Sequence, residues 1–158
     1  MSGLIMGLDP GPVESAFVVW DGNVTASAIR SNNDMLRLLA SSRRAGVVLV
    51  IEKVESFGMA VGAEVFETVF WSGRFAQAWE GDVERIGRRE VKLHLCGSAR
   101  AKDANIRQAL IDRLGPVGTK KRPGPLYGVK SHVWAALAVA VTAWDKRVPA
   151  GGDEGRAR

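Results

Sequence analysis

Residues 47–52 read VVLVIE, a run of five apolar residues that ends at the carboxylate of Glu52. A continuous, mostly β-branched run of this length is typical of a strand that is covered on both faces, so we predict a central parallel strand here. Because helices usually cover both faces of such a strand, the run also places the chain in the α/β class. Glu52 is then expected at the carboxyl end of the strand, where open α/β sheets bind their ligands.

The residues before this central strand predict three further strands and a helix. The strand candidates are short apolar or alternating runs: Leu4–Leu8, Ala16–Trp20 and Val24–Ile29. Asp21-Gly22 separates the second from the third, and Asp-Gly favours tight hairpin turns, so we predict an antiparallel meander. Asn32 or Asn33 is expected to cap a helix that continues to about Arg44.

The residues after the central strand predict three helices and at least one strand. The helix candidates are Ala63–Trp79, Lys102–Leu114 and Ser131–Trp144, and the strand candidates are Val83–Ile86 and Val91–Leu95, which could be two strands or one. The predicted order is β-β-β-α-β-α-β-α-α, which gives a five-stranded mixed sheet with flanking helices. We expect one domain over residues 1–148 and a disordered tail over residues 149–158, which has no apolar period.

The composition of the chain indicates which class of partner it binds and in which cellular compartment it is located. The net charge of +5 favours a polyanionic partner such as nucleic acid. Cys96 is the only cysteine, which excludes an intrachain disulfide and fits a reducing cytoplasm, and we expect it to be a packed thiol. No apolar run approaches the roughly 20 residues of a membrane span, and no signal peptide is visible, so we expect no membrane partner and a cytoplasmic location.

Two carboxylates are expected at the same edge of the sheet. Asp9 ends the first strand in the turn Asp9-Pro10-Gly11, and Glu52 ends the central one. Each alone also fits an ordinary solvated carboxylate, but together, on parallel neighbouring strands, they would repel each other, and a divalent cation would remove that cost. His132 begins the last helix, whose small apolar residues 135–141 are typical of a helix packed tightly on a sheet, although a lone histidine there is most often simply exposed.

Three segments carry a resemblance to a known family: Gly7–Gly11, Val50–Val54 and Ser131–Ala140, with a fourth similarity at Gly97–Lys102. In order and spacing they resemble the active-site segments of RuvC-type Holliday-junction resolvases, over roughly residues 3–146. The resemblance implies a ribonuclease H-like fold and an endonuclease that hydrolyses DNA phosphodiesters at four-way junctions as a homodimer. It also implies two Mg²⁺ or Mn²⁺ ions per site, with Asp9, Glu52 and His132 among the ligands.

Ala135 departs from that family pattern, because an aspartate normally stands three residues after the position of His132. Residues three apart share one face of a helix, so a carboxylate there would complete the cluster, whereas alanine supplies no oxygen. We therefore expect this chain to be inactive or impaired as a nuclease. Either Ala135 is an engineered Asp→Ala exchange, or the sequence is natural and another residue has taken over the ligand role.

Several residues are candidates for contact with DNA. By resemblance, Lys102 contacts the backbone near the scissile phosphate, and a basic loop precedes the last helix: Lys120, Lys121, Arg122 and Lys130. Phe57, in the loop after Glu52, is expected to pack beneath that loop or to stack on an unpaired base. Arg88 belongs to a second basic cluster with a weaker claim, and Arg107 is expected to be an ordinary surface charge.

The apolar helix over residues 63–79 is the candidate dimer element, and a phage or prophage version, in a bacterial cell or an infected host cell, is plausible. Three alternatives stay open. The first is a junction-binding module without catalysis. The second is a ribonuclease H-like nuclease that acts on RNA or RNA–DNA hybrids. The third is an actin-like sugar or acetate kinase, for whose two domains the chain is too short.

Overall fold

The computed structural model describes residues 3–41 and 45–147. The elements in this part of the chain are β1 (Ile5–Asp9), β2 (Glu14–Trp20), β3 (Val24–Ser31), α1 (Asn32–Ser41), β4 (Val48–Lys53), α2 (Ala63–Ala78), β5 (Val83–Gly87), α3 (Arg88–Cys96), α4 (Asp103–Leu114) and α5 (Val133–Arg147). The predicted boundary at residue 148 and the predicted tail lie outside the described residues. No helix within the described ranges is long and apolar enough to cross a membrane.

The strands form one five-stranded sheet in the order β3-β2-β1-β4-β5. β1, β2 and β3 pair antiparallel, whereas β4 runs parallel to β1 on one side and to β5 on the other. The predicted mixed sheet, with its opening meander and its central parallel strand, is therefore confirmed. Leu8 is opposite Ile51 in the β1–β4 register, so the residues that follow them, Asp9 and Glu52, lie next to each other at the same edge of the sheet.

Helices cover both faces of the sheet, which explains the continuous apolar run of β4. Leu49 and Ile51 belong to one core, with residues of α1 and α2, while Val50 belongs to the other, with residues of α4 and α5. All three side chains are fully buried. Cys96 packs against the second core as a partly buried free thiol, as expected.

Helix α5 lies directly on β1 at a glycine. A Cβ atom added to Gly7 would lie 2.9 Å from Cβ of Ala140 and far inside van der Waals contact of the carbonyl oxygen of Ala136. The helix can approach this closely only because Gly7 has no side chain and because alanines face it. The contact also sets how far the start of α5 lies from the end of β1.

The strand predicted at Val91–Leu95 is wrong, because these residues belong to helix α3. Val91, Leu93 and Leu95 alternate with polar residues, which imitates the period of a strand. Only Val91 is buried, however, and α3 packs against α4 and α5 instead of extending the sheet at β5. Gly97 ends the helix in the left-handed conformation (φ 72°), a common way to terminate a helix.

Asp145 ties α3 and α4 to α5 on the same face of the sheet. Its carboxylate accepts hydrogen bonds from both terminal nitrogens of Arg113, at 2.5 and 2.6 Å, and lies 2.6 Å from Nε2 of His94. Burial favours a higher pKa of Asp145, but the hydrogen bonds with Arg113 and His94, together with the charges of these two residues, outweigh burial and lower that pKa. Helices α3, α4 and α5 are therefore joined to one another by side chains as well as by the core.

Candidate active site

The carboxyl ends of β1 and β4 meet the start of α5 at a cavity of about 410 Å³. The cavity is lined by Asp9, Glu52, Arg88, Asp103, Ile106, Arg107, Ser131, His132, Trp134, Ala135 and Ala138. Nδ1 of His132 lies 3.2 Å from Oδ2 of Asp9. The structure thus brings together three residues predicted from the sequence as metal ligands, Asp9, Glu52 and His132.

Asp9 and Glu52 are mostly buried side chains that lie close to each other. Their exposed fractions are 15% and 14%. Burial raises the pKa of Asp9 to about 8, and the charge of Glu52 and a hydrogen bond with it add to the effect. Without a cation between them, the pair therefore keeps a proton well above the pH at which a free aspartate loses it.

Arg88 lies in this site, although the sequence gave its basic cluster a weaker claim to DNA contact than the other predicted cations. It is the first residue of α3, directly after the edge strand β5. Nη1 donates a hydrogen bond to Oε1 of Glu52 at 3.3 Å, and Nη2 donates one to Oδ1 of Asp103. Burial lowers the pKa of Arg88, but the negative charges of Glu52 and Asp103 outweigh burial and raise it.

Asp103 and Arg107 were also missed as residues of the cavity. Both lie on α4, with Asp103 in its first turn, and the guanidinium of Arg107 lies 5.2 Å from the ring centroid of Trp134. Arg107 was expected to be an ordinary surface charge, but it forms part of the cavity wall. The sequence feature that could have indicated these two residues is their position shortly after the Gly97–Lys102 segment. Such a position is too general to single them out.

Ala135 lies in the cavity wall, as its spacing from His132 predicted. It is only partly buried, so the position has room for a larger side chain. Ala138, one turn further along α5, lines the same wall. This wall offers methyl groups at the point where the family pattern has a carboxylate.

A buried polar network holds the loop that follows Asp9. The hydroxyl of Ser15 donates to Oδ1 of Asn32 at 2.6 Å and accepts a hydrogen bond from the amide of Gly11, and the Asn32 amide donates to the carbonyl of Gly11. Asn32 was predicted as a possible helix cap, but the hydroxyl of Ser31 takes that role by accepting from the amide of Asp34. Asn32 instead connects the start of α1 to the turn beside Asp9.

Apart from Arg88, none of the residues predicted to contact DNA lines this cavity. Lys102 is exposed at the N-cap of α4, where its backbone amide donates to Oδ1 of Asn105 at 2.8 Å. The predicted basic loop is exposed as well, with three of its residues at the tip of a tight turn and the fourth just before α5: Lys120, Lys121, Arg122 and Lys130.

Phe57 does not pack beneath its loop, which corrects one of the two expectations for it. Its side chain is 61% exposed and its φ is 51°, an uncommon conformation for a bulky residue. It borders a second depression of about 280 Å³, which also contacts Asp9, Glu52 and Arg88. The aromatic ring is therefore open to solvent at the rim of the carboxylate pair.

The cavity offers donor atoms of the kinds that bind a divalent cation. Asp9 and Glu52 supply carboxylate oxygens and His132 supplies a ring nitrogen, donors that suit Mg²⁺ or Mn²⁺. Ala135 supplies none, and Oε1 of Glu52 already accepts a hydrogen bond from Arg88. Within residues 3–41 and 45–147, no group of three or more His, Cys, Asp and Glu side chains is close enough to hold a metal ion without some movement.

Comparisons with known proteins identify the fold. No protein-family model and no curated protein sequence matches the chain. The chain is similar to the structure of RuvC from Thermus thermophilus, with 19% identity and a TM-score of 0.61 over 91% of this chain and 95% of that one. It is equally similar to T. thermophilus RuvC in complex with a Holliday junction substrate, again with 19% identity and a TM-score of 0.61, over 92% and 95% of the two chains. Since the likeness covers nearly all of both chains, this chain has the ribonuclease H-like fold of RuvC.

Proposed function

We propose that the protein is a structure-specific endonuclease that hydrolyses DNA phosphodiesters at four-way or branched junctions. The observation that carries the proposal is the meeting of Asp9, Glu52 and His132 in one cavity at the carboxyl edge of the sheet. The second support is the fold, which is shared with a RuvC whose structure was determined with a Holliday junction substrate. The positive net charge of the chain agrees with a DNA partner.

The site residues suit phosphodiester hydrolysis assisted by Mg²⁺ or Mn²⁺, held by Asp9, Glu52 and His132. A divalent ion at such a site activates water and stabilises the charge that develops on the phosphate oxygens. Arg88 and Arg107 present guanidinium groups to the same cavity, and this group matches the geometry of phosphate oxygens. The exposed ring of Phe57, beside the cavity, can stack on a base at the open centre of a junction.

A catalytically silent junction-binding module is the second candidate, and two observations favour it. Ala135 leaves the cluster without a carboxylate, and Arg88 already contacts Glu52. Both features weaken a metal site but leave the exposed basic residues of the chain unchanged. We therefore expect cleavage by this chain to be slow compared with that by a variant in which the carboxylate is restored.

Junction binding and cleavage test the proposal directly. We expect the protein to bind a synthetic four-way junction at least about tenfold more tightly than linear duplex of the same sequence, since differences of this size reflect shape-dependent contacts. With Mg²⁺ or Mn²⁺, Ala135→Asp should cut symmetrically related strands at least about tenfold faster than the native chain, because it adds an oxygen ligand. Native gels measure the binding and denaturing gels measure the cleavage.

The matched control is Ala135→Asn, which has the same size as Ala135→Asp but no carboxylate and should not accelerate cleavage. Equal affinity for junction and duplex would reject the resolvase function. Tight junction binding without cleavage, even by Ala135→Asp, would favour the silent module. Preferential cleavage of RNA or an RNA–DNA hybrid in the same assay would assign the site to a related nuclease.

We also propose that the protein is a homodimer formed through α2, because a two-fold dimer places two sites on a two-fold substrate. Three large side chains of this helix are at least half exposed: Phe66, Val69 and Phe70. A contiguous apolar surface of this kind marks an interaction site.

Light scattering should give the mass of a dimer for the native chain and of a monomer for Phe70→Glu. Val13→Glu, an equivalent change at an exposed residue outside α2, should leave the dimer intact, and a monomeric native chain would refute the interface.

A further inference from the structure

Arg88 is a cation built into the carboxylate site. Its guanidinium lies between Glu52 and Asp103 and donates a hydrogen bond to each. The Arg88 side chain is 32% exposed and that of Glu52 is 14% exposed, so their contact is largely shielded from solvent. A shielded contact between opposite charges is stronger than the same pair on an open surface.

Elements of the fold on two sides bring this guanidinium to its carboxylate partners. Arg88 begins α3 immediately after Gly87, which pairs with Lys53 next to Glu52 in the sheet. Asp103 approaches from the first turn of α4, and α3 packs against α4. The Arg88 head group therefore contacts a carboxylate on each side, the largely buried one of Glu52 and the mostly exposed one of Asp103.

The net negative charge of the site is smaller than its three carboxylates alone would give, so it attracts added cations less strongly. When all three are ionised, Asp9, Glu52 and Asp103 supply three negative charges, and the guanidinium of Arg88 offsets one of them. A second divalent ion near Glu52 would meet the guanidinium, a like charge at short range. It would also find no oxygen at Ala135, the position on α5 that faces the cavity.

We propose that Arg88, held by Asp103, takes the place of a second divalent ion, so that the site binds a single ion at Asp9, Glu52 and His132. This inference rests on the proposed function and deepens it, since two ions per site were expected from the family resemblance. Like a metal ion, the guanidinium can contact the oxygens of a phosphate, but it remains bound covalently to the protein. The arrangement also accounts for the presence of an arginine beside a carboxylate that would otherwise be available to a metal.

The number of Mn²⁺ ions bound per chain tests the proposal without any DNA. Titrations of the full-length protein, followed by electron paramagnetic resonance of free Mn²⁺, should give one ion per chain for the native protein and for Ala135→Asp. The double variant Ala135→Asp with Arg88→Ala should bind two, because the added oxygen is present and the guanidinium is gone. Ala135→Asp with Arg88→Lys, which keeps a positive charge, should bind one.

The control variants separate this proposal from the proposed function. Arg89→Ala, an exposed neighbour of Arg88, combined with Ala135→Asp should still bind one ion, and circular dichroism should show that each variant is folded. Two ions in the native chain or in Ala135→Asp, or one ion in the double variant with Arg88→Ala, would overturn the role of Arg88 and leave the nuclease function intact. No Mn²⁺ binding by the native chain would overturn both.

Discussion

Exchange of Asp9 for asparagine is expected to stabilise the metal-free protein and, at the same time, to remove its Mn²⁺ binding and any DNA cleavage. Burial raises the pKa of Asp9 to about 8 from an ordinary value of 3.8, and the neighbouring charge of Glu52 contributes to this. Between these two values the folded protein keeps a proton that the unfolded chain has released. The native protein therefore loses stability as the pH rises from about 4 towards 8.

Asparagine carries no charge at any of these pH values and can still donate a hydrogen bond to Glu52. One pKa unit corresponds to about 1.4 kcal/mol, so the full shift amounts to about 6 kcal/mol, and relaxation of the site with entry of water should leave a gain of a few kcal/mol at pH 8. The same exchange removes a carboxylate from the ion site, since a neutral amide is a poorer ligand for a divalent cation. Stability and function are thus expected to change in opposite directions.

Urea unfolding in the presence of a chelator, at pH 5 and at pH 8, measures the effect. The free energy of unfolding of Asp9→Asn should depend on pH less steeply than that of the native protein, and the difference should be largest at pH 8. Asp82→Asn, the same exchange at an exposed position, serves as the control and should retain the native pH dependence. An unchanged pH dependence in Asp9→Asn would show that Asp9 is not held protonated in the fold.

Gly7→Ala is expected to destabilise the protein by roughly 2–4 kcal/mol, or to prevent folding, because overpacking a rigid core contact forces the backbone to move. The added methyl group would collide with the carbonyl oxygen of Ala136 and lie 2.9 Å from Cβ of Ala140. Neither group belongs to a flexible side chain, so α5 would have to move away from β1. Such a shift would also separate His132, at the start of α5, from Asp9, at the end of β1.

Gly73→Ala is the matched control for this exchange. Gly73 lies within α2, and a Cβ added there would have no atom within 4 Å. Because alanine has a higher helix propensity than glycine, this variant should be more stable by up to about 1 kcal/mol. Denaturant midpoints of the two variants measure the contrast, and Gly7→Ala with native stability would mean that α5 does not depend on this close approach.

Much of the fold could be predicted from the sequence because its signals are local. The apolar run of residues 47–52 indicates a strand covered on both faces, and the Asp-Gly turn after β2 indicates a hairpin. Parallel neighbours then bring Asp9 and Glu52 to one edge, as the β1–β4 register confirms. The small residues of α5 similarly indicated a helix packed tightly on the sheet. The ordered segments around these residues were enough to suggest the fold that the comparisons then showed.

What only the tertiary structure decided was the set of side chains that surrounds this predicted cluster. The sequence by itself determined the two carboxylate-ended strands, the histidine at the start of α5 and the alanine three residues later. Arg88 lies 36 residues after its partner Glu52 in the chain, and Asp103 lies 15 residues after Arg88. Their contacts depend on how α3 and α4 pack against each other. The alternation in Val91–Leu95 even favoured the wrong element, because a period of two in a short segment does not reveal which neighbours will cover it. Local patterns predict secondary structure and strand ends, whereas the charge balance of a cavity is set by elements distant in the chain, and it becomes visible only when they are packed together.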